Sequence, residues 1–498
     1  MRKIIDAAQM KLADKDCLTA KNMASHELMD RAASAFAGIF RSLIQHKNQP
    51  IVVLCGTGNN GGDGLAIARL LDCDGYNHVE ILIIPTGTDP SADFLYNLER
   101  IKKTSVPVRQ IGQVSALDFE SLDIDVSRSV LIDALLGIGV NRPLDGGLRD
   151  IVRYLNGRCK RVVAVDVPTG FRSEGSFQDD EVILHADEVI TFQRPKLNFF
   201  FPESAKFMRS FFVADIGLRE EFIAELPSSF SCLEQSDIEN IYRKRETFSH
   251  KGNYGHALVI AGSIGKVGAA LICAEACLYA GAGLITVSLP QEGRDALYAR
   301  LPEAMITRPE DLFDERDYSA IAFGPGLGVR ATGLPHLFKK TKAPLVIDAD
   351  GLNYMAKNQS TLTALPKGTV LTPHMKEFDR LFGSSSTWWD RIQLAIRKAK
   401  ELNVIIVLKN RYTFIVTNTG DVLINPTGNP AMAIGGMGDA LTGLITSFIA
   451  QGYTPREACI LGCFLHGRAG DRLKLEGQAV VLPTAVIRKI PYLLSEIE

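Results

Sequence analysis

One unit recurs along this chain and constrains it more than any other feature: a short apolar, β-branched run, a loop containing Gly or Pro, then a helical pattern. The first half holds IVVLC (Ile51–Cys55), VEILIIP (Val79–Pro85), VLIDALLG (Val130–Gly137), VVAVDVP (Val162–Pro168) and EVITF (Glu188–Phe192). The second half repeats the rhythm with HALVIAG (His256–Gly262), GLITVSLP (Gly283–Pro290), AIAFGPG (Ala320–Gly326), PLVIDAD (Pro344–Asp350), GTVLTP (Gly368–Pro373) and VIIVLK (Val404–Lys409). Strands that are apolar throughout are buried on both faces. With helices between them they predict parallel sheets covered on both sides, an α/β fold. Before the first strand, Leu28, Ala32, Phe36 and Phe40 keep helical spacing. RYTFIVTNTGDVLIN reads as a hairpin turning near Gly420-Asp421, and a long helical tail is expected from Gly438.

The pattern lapses between Arg219 and Phe248, and 498 residues suit two domains. We expect a first domain over 1–218, a linker over 219–235 and a second domain over 236–494. The halves do not align with each other. Lys+Arg 55 against Asp+Glu 57 gives a net charge of -2, so no global basic field draws nucleic acid or anionic lipid. The nine cysteines form no CxxC pair, as expected of reduced thiols in the cytoplasm. Asp6 interrupts the N-terminus before a secretory apolar region forms, and Glu275 and several glycines interrupt the most apolar stretch, Gly268–Leu289. Neither a nucleic-acid nor a membrane partner is expected.

In the first half, Ile51–Cys55 runs into Gly56-Thr57-Gly58-Asn59-Asn60-Gly61-Gly62-Asp63-Gly64. Gly56, Gly58 and Gly61 satisfy G-x-G-x-x-G, the dinucleotide fingerprint. Glu80 nevertheless stands at the start of the second strand, where the ribose-binding acid belongs at its end, and the loop offers Asn and Asp side chains where a pyrophosphate wants bare N–H groups. Asp63, Asp133 and Asp166 read as acidic strand ends on one carboxyl edge. Each alone is a turn or helix cap as readily as a ligand; together they favour a site, with a cation among them.

In the second half, Ala433-Ile434-Gly435-Gly436-Met437-Gly438-Asp439 opens a helix. A glycine-rich turn at a helix start directs free N–H groups at an anion, and an acid there accepts a proton from a hydroxyl undergoing phosphorylation. Asp439 reads either as that base or as a cap of the helix from Ala440. Lys409 ends a strand where it meets a phosphate or solvent, and His374 follows Thr372-Pro373 on the same edge. No G-x-x-x-x-G-K-[ST] occurs, so a P-loop NTPase is unsupported.

GNNGGDG, IDALLGIGVNRPLDG, VDVPTG and TFQRPKLNF occur in order, and Met1–Leu218 resembles the YjeF N-terminal, NAD(P)H-hydrate epimerase family. The resemblance implies a Rossmann-like three-layer domain. It implies hydrate binding by Asn59, Asn60, Gly61, Gly62 and Asp63, by Gly137, Ile138, Gly139, Val140, Asn141, Arg142 and Pro143, and by Asp166. It also implies potassium on Asn60, Asp133 and Thr169, the last standing where the family usually has Ser. Asp166 is our candidate acid/base. Ser236–Leu494 resembles the ribokinase-like superfamily and, within it, the ADP/ATP-dependent NAD(P)H-hydrate dehydratases. That implies hydrate binding by Ala269, Gly326, His374 and Asp439, with Asp439 as base. It implies adenine nucleotide on Lys409, Asn410, Arg411, Tyr412, Thr413 and Gly438, with Mg2+ accompanying ADP; Asn410 stands where the family generally has Gly. The expected function is therefore epimerisation of (6R)- and (6S)-NAD(P)HX and ADP-dependent dehydration of the S epimer, with NADHX, NADPHX and ADP as small-molecule partners, in a homo-oligomer. Two alternatives stay open: a vitamin kinase in the second half, and a non-catalytic ligand-binding module in the first.

Overall fold

The structure, a computed structural model, describes residues 1–87, 89–112, 114–116, 119, 124–139, 142–307 and 318–498, without the side chains of 338–340. It divides into two compact units. One comprises Lys3–Ser228 with Thr387–Trp389, the other Met1–Arg2, Ser229–Ser386 and Asp390–Glu498. Strand β1 (Arg2–Lys3) stands at one edge of the second unit's sheet.

The first unit carries β2 (Ile51–Cys55), β3 (Val79–Ile83), β4 (Val108–Gln110), β5 (Val130–Ala134), β6 (Arg161–Val165), β7 (Ala186–Phe192) and β8 (Met208–Ala214). They form one sheet in the order β4-β3-β2-β5-β6-β7-β8, parallel at every pairing. The order leaves β2 in one direction toward β3 and β4 and resumes on its other side with β5. The two loops after β2 and β5 thus part to opposite faces, opening the crevice where such sheets bind ligands. Two apolar layers cover the sheet. One packs Phe36, Phe40 and Leu65 against Ile51, Val53 and Ile132; the other packs Ile151 and Phe171 against Val52, Leu54 and Leu131. The N-terminal helical spacing is realised in the helix Ser25–Leu43, which buries Leu28, Ala32, Phe36 and Phe40; a separate helix, Ala7–Ala20, precedes it.

In the second unit the strands are β9 (Phe230–Cys232), β10 (His256–Ile260), β11 (Leu284–Ser288), β12 (Met305–Thr307), β13 (Ala320–Phe323), β14 (Leu345–Ile347), β15 (Val370–Leu371), β16 (Ile405–Leu408), β17 (Thr413–Val416) and β18 (Val422–Asn425). Their order is β1-β9-β18-β17-β16-β15-β14-β13-β10-β11-β12. From β16 to β12 the pairings are parallel, and β16-β17-β18 are antiparallel, with the hairpin turn at Gly420 (φ 96°). Here the switch point lies between β10 and β13. The expected helical tail is three helices, Met437–Ala450, Pro455–Leu475 and Pro483–Glu496, the last two restarted by Pro at their first position. The first of them is buried nearly all round, and an added Cβ at Gly443 would lie 2.3 Å from the Cys273 carbonyl oxygen of helix Val267–Tyr279.

Candidate functional sites

After β2, the Gly56 N–H donates to the Ala134 carbonyl at 3.0 Å, stitching the turn to β5. The helix Asn59–Cys73 then starts from Gly58 with no side-chain cap, which leaves its first N–H groups open. An added Cβ at Gly61 would sit 1.7 Å from the Gly56 carbonyl oxygen, so only glycine closes this turn. The turn borders a cavity of about 580 Å³, into which β5 delivers Gly137, Ile138 and Gly139 and β6 delivers Asp166. Asn59, Asn60 and Asp63 line it as well.

Asp63 does not end a strand, as the sequence suggests. It belongs to the helix Asn59–Cys73. Burial pushes its carboxyl well above the ordinary range, and Asp166, Asp14 and Asp93 push it further. Gly61 and Gly62 are buried in the helix start outside the cavity lining, and Arg142 and Pro143 are exposed on the connection leading to the helix Gly146–Leu155. Val140 and Asn141 lie outside the described residues.

Asp166 has φ 66°, a left-handed backbone that a side chain rarely adopts. Its Oδ1 accepts from the Thr191 hydroxyl at 2.9 Å and the Phe192 N–H at 3.2 Å, and the Lys196 ammonium lies 2.9 Å away. Asp14, from the helix Ala7–Ala20, lines the same cavity. Burial raises it to about 6, with Asp166 adding and Lys196 opposing.

Asp133, wholly buried, accepts from the Thr169 N–H at 2.7 Å, the Thr169 hydroxyl at 2.6 Å and the Leu135 N–H at 3.3 Å. Burial nonetheless pushes it up to about 6. Leu136 donates its N–H to the Thr169 hydroxyl at 3.2 Å, and an added Cβ on neighbouring Gly137 would lie 3.3 Å from the Asn60 carboxamide oxygen. The Asn60 carboxamide nitrogen is buried without a partner. One carboxylate, a hydroxyl and an unsettled carboxamide form an oxygen-rich set short of positive charge, which fits a hard monovalent cation. Among the described residues no group of three or more His, Cys, Asp or Glu is poised to hold a metal ion.

In the second unit the helix Met437–Ala450 starts from Gly436 at φ 91°, without a side-chain cap. Asp439 therefore lies inside the first turn and is not the cap. Burial raises its carboxyl to about 7, Asp348 adding most among the charges, Lys409 opposing, and Asp350 and Glu377 contributing. Lys409 directly follows β16 and places its ammonium 2.7 Å from Asp348 Oδ1, while the Thr442 hydroxyl donates to Oδ2 at 2.9 Å. Burial pushes Asp348 up, but Lys409, Thr442 and Thr372 outweigh it and hold the carboxyl below its usual range. An added Cβ at Gly438 would lie 3.1 Å from the Lys409 ammonium, which puts that cation at the helix mouth.

His374 is bridged to Lys409 across the sheet edge and caps the helix Met375–Phe382, its Nδ1 accepting from the Glu377 N–H at 3.2 Å. Ala349 (φ 47°, ψ -114°) separates Asp348 from Asp350, and Asp350 accepts from the Gly328 N–H at 2.8 Å with Lys266 3.6 Å away. Gly326 (φ 58°) would bring a Cβ 2.8 Å from that of Ala269, so these two residues meet at the switch point. Arg411 stacks on the Tyr412 ring in the connection from β16 to β17, where Thr413 begins β17, and Asn410 is not among the residues with positive φ. The backbone at 410 therefore does not itself call for glycine.

Sequence reasoning gave no role to Asp348, Thr442, Glu377, Asp14 or Lys196. Asp348 carried the same signal as Asp133, an acid ending an apolar strand. Lys196 stood within the TFQRPKLNF motif without a reason to choose it, and Asp14 lay in a helix with no motif at all.

Residues 25–198 match the family described as YjeF-related protein N-terminus, and residues 257–492 match the NAD(P)H-hydrate dehydratase family. The bifunctional NAD(P)H-hydrate repair enzyme Nnr of Moorella thermoacetica is 32% identical, over 99% of this chain and 97% of its own length. Its namesake from Thermofilum pendens is 32% identical over 94% of this chain and 91% of its own. A crystal structure of a ribokinase-like superfamily protein from Enterococcus faecalis superposes with a TM-score of 0.50 at 30% identity, covering 55% of this chain and 98% of that one.

Proposed function

Because the chain belongs to the bifunctional NAD(P)H-hydrate repair enzyme family, we propose that its two units divide the repair of hydrated NADH and NADPH between them. The first interconverts the (6R) and (6S) epimers; the second dehydrates the S epimer with ADP, releasing AMP and phosphate. The observation that carries the second assignment is Asp439, raised to about 7 in the first turn of an uncapped helix beside Lys409. A base poised near ambient pH takes the proton of the C6 hydroxyl. The open N–H groups of that turn and the Lys409 ammonium hold phosphoryl oxygens, and Asp348 and Thr442 fix the ammonium in place. Hydroxide leaves C6 poorly and phosphate leaves well, so phosphorylation precedes elimination. The carboxylates Asp350 and Glu377 beside Asp439 suit the Mg2+ that travels with the nucleotide.

In the first unit the cavity around Asp166 receives the hydrated ring, and the open turn at Gly58–Asn60 receives a phosphate. Asn60, Asp133 and Thr169 would hold potassium, which supplies the positive charge that Asp133 lacks. Nine free cysteines support a cytoplasmic setting, and among the described residues no helix is long and apolar enough to cross a membrane. We also propose a homo-oligomer, tested by its mass in sedimentation.

The test is recovery of dihydronicotinamide absorbance from a mixed R/S preparation of hydrated NADH with ADP and Mg2+. Full recovery by wild type and none by Asp439→Ala is the expected result. Recovery that stalls at the S fraction removes the epimerase assignment; no recovery by wild type removes the dehydratase assignment and favours a kinase with a stable phosphorylated product.

A further inference from the structure

Asp14 lies outside both family matches, the first of which begins at residue 25, and the repair scheme above leaves it without a role. The helix Ala7–Ala20 buries Met10, Ala13 and Cys17, and Asp14 lies on the flank of that face, lining the cavity. The other charged groups there are Lys11, Lys15, Asp63, Asp93, Asp166 and Lys196.

These carboxyl groups are not equivalent. Asp166 is committed: one of its oxygens takes two hydrogen bonds and the Lys196 ammonium. Asp63 is held well above the ordinary range by burial and by its carboxyl neighbours, Asp166 and Asp14 among them, within the helix Asn59–Cys73. Asp14 makes no hydrogen bond or ion pair among the described residues, so its carboxyl is available to a ligand in the cavity. Its proton is also exchangeable near neutrality, where acid catalysis is most efficient.

We propose that Asp14 is a catalytic proton donor and acceptor in the epimerisation, working in the cavity that holds the Asp166–Lys196 pair. The proposal rests on the reading of that cavity as the epimerase site. Asp14 gives its proton to the C6 hydroxyl oxygen. The C6–O bond breaks with both electrons on oxygen, water departs, and the N1 lone pair closes a C6=N1 bond. Water then adds to the opposite face of C6, the π pair returns to N1, and the surplus proton passes through cavity water back to Asp14. Nothing is oxidised or reduced, and the enzyme ends as it began.

The full-length chain reports both reactions in one trace. With an R/S mixture, ADP and Mg2+, the S fraction is dehydrated in a fast phase, and the R fraction follows in a slow phase limited by epimerisation. Asp14→Asn is expected to leave the fast phase unchanged and slow the second by about 10²–10⁴-fold, toward the spontaneous rate. Asp14→Glu is expected to restore part of it. In wild type the slow phase falls as pH rises through about 6, because the donor must be protonated; Asp14→Asn lacks that dependence. A slow phase in Asp14→Asn equal to wild type overturns the proposal, as does a reduced one that keeps the wild-type pH dependence. Asp166→Asn separates the two levels. If it too leaves the slow phase intact, the cavity is not the epimerase site; if it abolishes the slow phase while Asp14→Asn does not, only the role of Asp14 falls.

Discussion

Asp348 and Asp439 meet at one helix mouth, yet their surroundings drive them apart. Asp348 has Lys409 and two hydroxyls and is held below its usual range; Asp439 is partly stripped of water, feels three other carboxyls, and rises to about 7. Each is thereby suited to one task, Asp348 as a fixed anion that orients Lys409 and Asp439 as a group that exchanges its proton. The sign of the pH dependence follows. A base works only when ionised, so kcat/KM for dehydration of the S hydrate is expected to rise with pH through about 7 and level off above it. Asp439→Asn is expected to remove that limb and cost about 10²–10⁴-fold in rate; an unchanged limb in this variant would assign the titration to another group. The sequence marked Asp439 because glycines crowded before it. It gave Asp348 no role, although an acid ends that apolar strand too, because the partners that assign one, Lys409 after β16 and Thr442 on the helix Met437–Ala450, converge only in the fold.

The elements that position these residues are themselves constrained by close approach. Gly443 lets the helix Met437–Ala450 lie against Val267–Tyr279, with the Cys273 carbonyl where a side chain would go. Gly443→Ala is therefore expected to destabilise the second unit by about 1–3 kcal/mol, measured by urea unfolding, because neither buried helix has room to give. Runs such as Ile51–Cys55 and Val162–Val165 were readable because apolar residues filled both faces. Strand β8, which shows exposed positions at Arg209 and Ser210, was not, and neither were the short strands β4, β9 and β12. Edge strands and three-residue strands bury too little to leave a periodic signal. The connection from β7 to β8 also lacks the expected crossover helix, running instead through two 3₁₀ turns, Leu197–Phe200 and Pro202–Lys206. The helix begins at Met437, one residue before the expected Gly438; what the sequence left open was its cap, since glycine at 436 takes the left-handed turn and Asp439 moves inside.

Taken as a whole, the chain couples one reaction that needs an acid to one that needs a base. Conversion of the pure R hydrate passes through both units, so its rate is expected to be limited by dehydration below about 6 and by epimerisation above about 7, with a maximum between. Recovery assays across pH check this, and a flat profile would mean that one step limits throughout. Both architectures were legible from strand rhythm, and the two candidate sites were suggested by glycine turns at carboxyl edges, since topology brings such loops to one side. What stayed hidden was the contribution of elements without motifs, the helix Ala7–Ala20 above all. One residue shows what such sites cost. Ala349 holds a conformation that glycine enters freely, at a penalty of about 1–3 kcal/mol, and so turns Asp348 and Asp350 to separate partners. Durability alone favours losing that methyl group. Glycine at 349 would relax that strain yet leave the turn freer to swivel, so the position trades ease of folding against firmness of the hinge between the two acids.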